Sequence, residues 1–576
     1  MSDFIYSSNK NDERFIIDSF KKLPYPYKEI QIARGNFGII GYTESLYNGF
    51  KVINNEKFLF ITLGGPLLKF TENSHIIHKF SDDANNKIKK RWIDEEKMDF
   101  INDIDSPFFF FYIDKINNTI KCVSDLFGFI PILYANNDRN LRISSLQSKE
   151  FWTQSYQFDK ASIVDFIING NITYPYSIYQ KVKQISPATC FFFKLSETNI
   201  YEEKVQYWQP KEIHTHTLSE SANIIQKEFK SFFKRLLVPH SKICSFISAG
   251  EDSRLIATML PEETHTITMI DYDNRELHLA QSVANKLKLK HFTYYRDKDY
   301  YLKQLNDTTS YIGIGDEVVH CHMYTMSKQL NLNKYDIIID GLQADVYLKG
   351  YYITRKTKSK ILNIIPTKEK IASQEESNIH SSIFDSDIIQ QINERRIYFN
   401  SCIKKIRPQS YQEWMKIWPA VMDSVATYSI NRRLFPVYMP FMSNGILIEM
   451  SQMPQSFKLN RLVFQKAFKK EYDKVGFIPH HNGSYPQLGW RINHILIYKE
   501  KVIKRISQLF QDTNKYNGSW QDWNEILKQS SLQNQIDNAY TILSDSIGIL
   551  IQNKITPDWT NLMKRRLLQV GSFLKN

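Results

Sequence analysis

The sequence predicts a protein of mixed α/β and α+β class. A layered antiparallel sheet domain comes first, then a parallel-sheet domain that runs into a helical C-terminal region. Up to about residue 205 the chain is a series of short, aromatic, β-prone runs broken by Gly, Asn and Pro, the pattern of antiparallel sheet. From about 240 onward, strand-like and helix-like segments alternate, as in a parallel sheet with crossover helices. Beyond about 365 helical periodicity dominates. At 576 residues the chain is too long for one hydrophobic core. Boundaries are placed at 1–210, 211–500 and 501–576, the last a helical extension.

Each element has its own signal. Residues 58–61, 108–113, 120–123 and 190–193 read as strands of the first domain, and 207–217 as a linker. Residues 242–247 are apolar and short enough for a buried strand, and 254–260 begin a helix. Strands are predicted at 266–270, 291–295 and 335–339. Between them, 276–288 places Leu277, Ala280, Val283, Ala284 and Leu287 on one helical face, and 318–330 reads as a further helix. A last helix spans 561–574.

Composition narrows the class. Hydrophobic residues make up 42% and aromatics 14%, and the densest apolar run, 108–113, is too short to span a bilayer. No basic-then-apolar signal opens the chain. Five cysteines without a CxxC pair point to a reducing cytoplasm and not to disulfides or zinc ribbons. The net charge of +13 comes from dispersed lysines, which read as solvated helix faces and specify no nucleic-acid partner.

Chemistry concentrates in Ser248-Ala249-Gly250-Glu251-Asp252-Ser253. A strand, a small-residue loop with two serines and a helix N-terminus together hold phosphate. Ser248, Gly250 and Ser253 would cradle it, and Asp252 supplies a carboxylate where nucleotide-bound magnesium needs one. A second loop, Gly341-Leu342-Gln343-Ala344-Asp345, lies after the fourth strand. Loops at the carboxyl ends of parallel strands converge on one mouth, so Asp252 and Asp345 are the expected metal ligands. Met269 and Ile270 lie at the edge that would cover an adenine. ATP and Mg2+ are therefore the expected cofactors. The polar cluster Asp316-Glu317-Val318-Val319-His320-Cys321-His322 reads in two ways: Glu317 or His320 as a base for an attacking amine, or a helix cap with satisfied core polar groups.

These segments resemble the class B asparagine synthetases and their AMP-forming relatives. Ser248 to Ser253 is similar to that family's SGGxDS loop, with Ala249 for one glycine. Gly341 to Tyr351 resembles its GEGADELFGGY segment, and Met439-Pro440-Phe441-Met442 its PFLD element. Asp125 to Tyr134 resembles the D-x-x-G-x-x-P-L-Y hairpin of its first domain. The resemblance covers about residues 1–475. It implies an Ntn-hydrolase-like first domain, a PP-loop domain of the adenine nucleotide α-hydrolase type, and a ligase that adenylates a carboxylate and passes the acyl group to an amine.

The departures are specific. Where the family carries a nucleophilic N-terminal Cys, this chain has Ser2. The HRGPD-like arginine segment has no counterpart, and residues 61–65 lack the asparagine of the glutamine-binding turn. These imply a first domain that does not hydrolyse glutamine. The family's catalytic Glu position is Leu342. Its lysine near the acyl-adenylate falls at Arg461, with Lys466 as second candidate. Free ammonia or a substrate amine would then be the acceptor, on a small-molecule or peptide substrate. An intramolecular amine gives the alternative, a β-lactam or lasso-peptide type of macrocyclase in natural-product biosynthesis, with a leader-peptide-binding partner. A catalytically silent ATP-binding scaffold is the alternative from another class.

Overall fold

The computed structural model describes residues 3–24, 29–44, 50–71, 83–137, 139–196, 198–356, 365–372, 378–510, 523–528, 530–549 and 559–575. Ser2 lies outside them.

Two six-stranded sheets, antiparallel throughout, build the first part of the chain. One carries Phe4–Ser7 between Gly38–Tyr42 and Leu141–Ser144, and the other carries Phe108–Asp114 between Phe58–Gly64 and Thr119–Ser124. The aromatic run explains the layering. Alternate side chains of a strand point to opposite faces, and here both faces are covered. Phe111 meets Phe4 of the opposite sheet at 4.5 Å between ring centroids, whereas Phe110 packs on Trp92 at 5.8 Å.

Helix Leu218–Leu236 joins the two halves, and Thr217 and Glu220 close a capping box at its start. Phe229 on that helix packs against Phe441 and Phe468. Next comes a five-stranded parallel sheet. From edge to edge it runs Lys290–Tyr295, His265–Ile270, Ile243–Phe246, Ile337–Ile339 and Val437–Tyr438. Its first four strands sit where the sequence predicts them. The fifth has two residues, too short for any periodicity to register. Among the described residues no helix is long and apolar enough to cross a membrane.

Other differences have local causes. The helix predicted over 318–330 divides into a 3-10 turn, Val318–His320, and a helix, Met323–Gln329. Tyr300 takes the break: its hydroxyl donates to the His322 carbonyl at 2.6 Å and accepts the Met326 N–H at 3.0 Å. Leu305–Ile312 is helical although its Asn-Asp-Thr-Thr sequence has weak helix propensity. The final helix, Asn561–Lys575, crosses Ser530–Ile547. A Cβ on Gly571 would sit 2.6 Å from the Ala539 Cβ, so glycine is what lets these helices approach. The same helix returns to the first domain, where Arg566 donates to the carbonyl of Ile168 at 2.6 Å.

Candidate active site

Strand order reverses between Ile243–Phe246 and Ile337–Ile339, and a crevice opens at such a switch point. The loop after each strand lies there. The Ser248 N–H donates to Ser253 Oγ at 3.0 Å, the two hydroxyls are 2.9 Å apart, and the Gly250 N–H donates to Ser248 Oγ at 3.0 Å. Gly250 is the N-cap of helix Glu251–Thr258, and no side chain caps that end. The positive end of the helix thus faces the crevice. Gly341 belongs to the second loop. A Cβ there would lie 3.3 Å from Ile256 Cδ1 and 3.4 Å from the Ser253 nitrogen, so its absence brings the two loops together.

Asp252 and Asp345 do converge, but on a side chain of the protein. The Lys349 ammonium forms an ion pair with Asp252, lies 2.9 Å from Asp345 and 3.6 Å from Glu251, and is 9% exposed. Burial lifts the Asp252 carboxyl to about 6 against the pull of Lys349. Burial also pulls the Lys349 ammonium down, but Asp252 and Asp345 outweigh it and hold the ammonium above its ordinary value. Both are charged at neutral pH. Glu251, itself buried, pairs with Arg461. His480 Nδ1 donates to the Ala249 carbonyl at 2.6 Å, and burial keeps that imidazole neutral. The expected magnesium ligands, the mostly buried Asp252 and the 65% exposed Asp345, are thus both paired with Lys349, and a site already holding an ammonium does not fit the ion. Among the described residues no group of three or more His, Cys, Asp or Glu side chains forms a metal site.

Two cavities meet at Gly250, Asp252 and Asp345. The larger, about 650 Å3, is lined by Ser248, Ser253, Met269 and Gly341, and further in by His320 and Asp423. The smaller, about 520 Å3, is lined by Lys349, Arg355, Arg461 and His480. Asp423 accepts a hydrogen bond from the Tyr352 hydroxyl, and burial raises its carboxyl to about 6.

The polar cluster after the third strand lines the larger cavity through Asp316, Glu317, His320 and His322, and its carboxylates are held by other groups. Asp316 accepts the N–H groups of Val425 and Ala426 and so caps helix Ala426–Leu434. Burial pushes its carboxyl to about 7. Glu317 is gripped by Arg565 and by Arg566, the latter at 3.0 Å. Burial raises the Glu317 carboxyl, but the two guanidinium groups outweigh this and hold it below the usual range. A carboxylate committed to two arginines is a poor proton acceptor. His320 lines the larger cavity, and burial lowers its pKa.

The crevice brings together Ser248, Gly250, Asp252, Ser253, Met269, Glu317, His320, Gly341 and Asp345. Ile270 is fully buried in the sheet and lines neither cavity, because successive strand residues alternate faces. Lys466 is exposed and also lines neither. Arg254, the residue after the phosphate loop, points into the core. It is fully buried, donating to the carbonyls of Ala249, Val475, Ile478 and Pro479. Residue patterning does not mark Lys349, Glu251, His480 or Asp423 for the site. Lys349 and Glu251 stand inside the two loop motifs, where a charge at an unexpected motif position is the one available signal. Asp423 and His480 carry none.

Further along helix Ala426–Leu434, Asp3 is fully buried beneath two of its arginines. Its Oδ1 lies 2.8 Å from Arg432 Nη2, and its Oδ2 lies 2.8 Å from Arg433 Nε. The Ser145 hydroxyl donates to the same carboxylate at 2.8 Å.

The fold and crevice define a parallel α/β domain with an anion-binding strand–loop–helix at its switch point, attached to a two-layer antiparallel domain. Residues 225–461 match the family model described as asparagine synthase. That part of the chain is similar to the asparagine synthetase-like superfamily. One relative is a putative asparagine synthetase [glutamine-hydrolyzing] 1 of Methanocaldococcus jannaschii, 20% identical over 56% of this chain and 58% of its own length. Another is asparagine synthetase [glutamine-hydrolyzing] 2 of Bacillus subtilis, 21% identical over 62% of this chain and 49% of its own. The chain thus spans only half to three fifths of the length of these curated relatives. A solved structure titled as the allosteric regulatory enzyme of purine biosynthesis overlaps at a TM-score of 0.24 and 7% identity, over 51% of this chain and 80% of that one. An overlap that slight carries no argument.

Proposed function

We propose that the protein is an ATP-dependent, AMP-forming amide synthetase that hydrolyses no glutamine of its own. One observation carries the reading: a serine-lined loop at an uncapped helix N-terminus, at the switch point of a parallel sheet, in a segment that matches the asparagine synthase family. The adenosine sits in the larger cavity against Met269. The phosphates lie over Ser248, Gly250 and Ser253, with Lys349, Arg355 and Arg461 beyond.

A substrate carboxylate oxygen attacks the α-phosphorus, the bond to the β-phosphate oxygen breaks, and pyrophosphate leaves. The amine nitrogen then attacks the acyl carbon, the acyl–oxygen bond breaks, and AMP leaves. Asp423 takes the proton that the nitrogen sheds. It lines the same cavity, and a carboxyl raised to about 6 is ionised yet basic at neutral pH. The chain's own dipoles and cations supply the rest by positioning and charge stabilisation.

The acceptor is free ammonia or an amine on the substrate. An intramolecular amine on a peptide would close a ring. Assaying AMP release with linear peptides against ammonia plus a free carboxylate separates the two. A silent nucleotide-binding scaffold is the second reading, favoured by the pairing of Arg461 with Glu251, which occupies the cation nearest the reacting centre. The test is pyrophosphate exchange into ATP across a panel of carboxylates. Exchange that depends on a carboxylate and disappears in Asp252→Ala supports the synthetase. ATP bound without exchange across the panel supports the scaffold.

A further inference from the structure

The cluster of Asp252, Asp345 and Lys349 lies where the two cavities meet, and its role in nucleotide binding rests on the proposal that ATP occupies this crevice. Lys349 ends the six-residue helix Ala344–Lys349, one turn after Asp345. Its ammonium lies over the Phe464 ring, 4.5 Å from the ring centroid. An ammonium has three N–H donors and no acceptor, and three carboxylates surround this one: Asp252, Asp345 and Glu251. Arg461 takes Glu251 from the other side. The five side chains carry three negative and two positive charges, so the cluster is nearly neutral before any ligand arrives.

A divalent ion would have to draw on the same two carboxylates. It would then lie within a few ångströms of the buried ammonium, and two positive charges so close beside the mostly buried Asp252 repel each other. Lysine and metal therefore exclude each other, and the lysine is the one built in, buried between helix and ring. We infer that the Lys349 ammonium stands in place of a divalent cation, so that the crevice takes a nucleoside triphosphate as the metal-free anion. Lys349 is then both a ligand-binding cation and the group that sets the choice between free and metal-bound nucleotide.

Calorimetric titration of the full chain with ATP, in excess Mg2+ and in excess EDTA, tests this. The expected result is a Kd that weakens by less than about fivefold on chelation. A greater weakening overturns the inference. Lys349→Ala, which releases both carboxylates, is expected to bind at least about tenfold tighter with Mg2+ than with EDTA. A variant as indifferent to the metal as the wild type overturns the inference as well. ATP bound only with Mg2+ sinks the ammonium assignment and leaves the proposed function standing. ATP bound in neither buffer removes both.

Discussion

The carboxylate of Asp3 is held by Arg433 through two parallel bonds, Nε to Oδ2 at 2.8 Å and Nη2 to Oδ1 at 2.9 Å, and both residues are buried. The pair joins the residue just before the first strand, Phe4–Ser7, to helix Ala426–Leu434, which contacts the edge strand Val437–Tyr438 of the parallel sheet. Burial raises the Asp3 carboxyl, but Arg432 and Arg433 outweigh it and depress it strongly.

Removing that carboxylate leaves two buried guanidinium groups without their counter-ion. Asp3→Ala should lower stability by about 3–5 kcal/mol, read from urea unfolding of both proteins. The sign of the pH effect comes from the depressed value. The native state holds fewer protons on Asp3 than the unfolded state does. The contribution is therefore complete above the unfolded pKa of about 4 and lost as pH falls through the native value. Wild type should lose stability below about pH 4 more steeply than Asp3→Ala; parallel acid titrations would contradict this.

Asp423→Asn separates the two half-reactions. Carboxylate-dependent pyrophosphate exchange should continue at a rate close to wild type, while amide formation falls by about 100-fold or more. In the wild type, the rate of amide formation should drop as pH falls through about 6, where Asp423 takes up its proton. Equal loss of exchange and amide formation would remove Asp423 from the proton-transfer role.

Glu317 is expected to matter for stability and not for proton transfer, since Arg565 and Arg566 hold it. Glu317→Ala should destabilise by about 3–5 kcal/mol by leaving a buried arginine pair exposed to its own repulsion. Glu317→Gln should retain the pH profile of the wild type. A change in that profile would return Glu317 to the reaction.

Lys466 is exposed on its helix and should be dispensable. Lys466→Ala should leave kcat/KM unchanged and alter stability by no more than about 0.5 kcal/mol. Arg461→Ala, by contrast, removes one of the two cations paired with the buried Glu251 and should weaken ATP binding by about tenfold or more.

Four of the five parallel strands, the phosphate loop and the Asp345 loop are legible in the sequence because each is local. A buried strand shows as a short apolar run, and a loop that must approach an anion shows as small residues. The fifth strand is not legible, since two residues carry no period. Glu317 reads in two ways by sequence, which shows its position beside the site but not Arg565 and Arg566, more than 240 residues away. By sequence Arg461 is the first candidate and Lys466 the second. A left-handed backbone at Asn460 and Arg461, with φ of 51° and 61°, turns Arg461 toward Glu251.

The sequence alone determined the two kinds of sheet, their order, and the loops from which the crevice is made, because periodicity and turn chemistry act over a few residues. Tertiary structure alone decided which charges neutralise which. By sequence Asp252 and Asp345 share a magnesium ion; in the folded chain they share Lys349 instead. The lysine comes one helical turn after Asp345, yet Asp252 lies almost 100 residues earlier, and only the parallel sheet brings the three together. Electrostatic partnership depends on distance and burial, and neither is written in the order of residues along a chain.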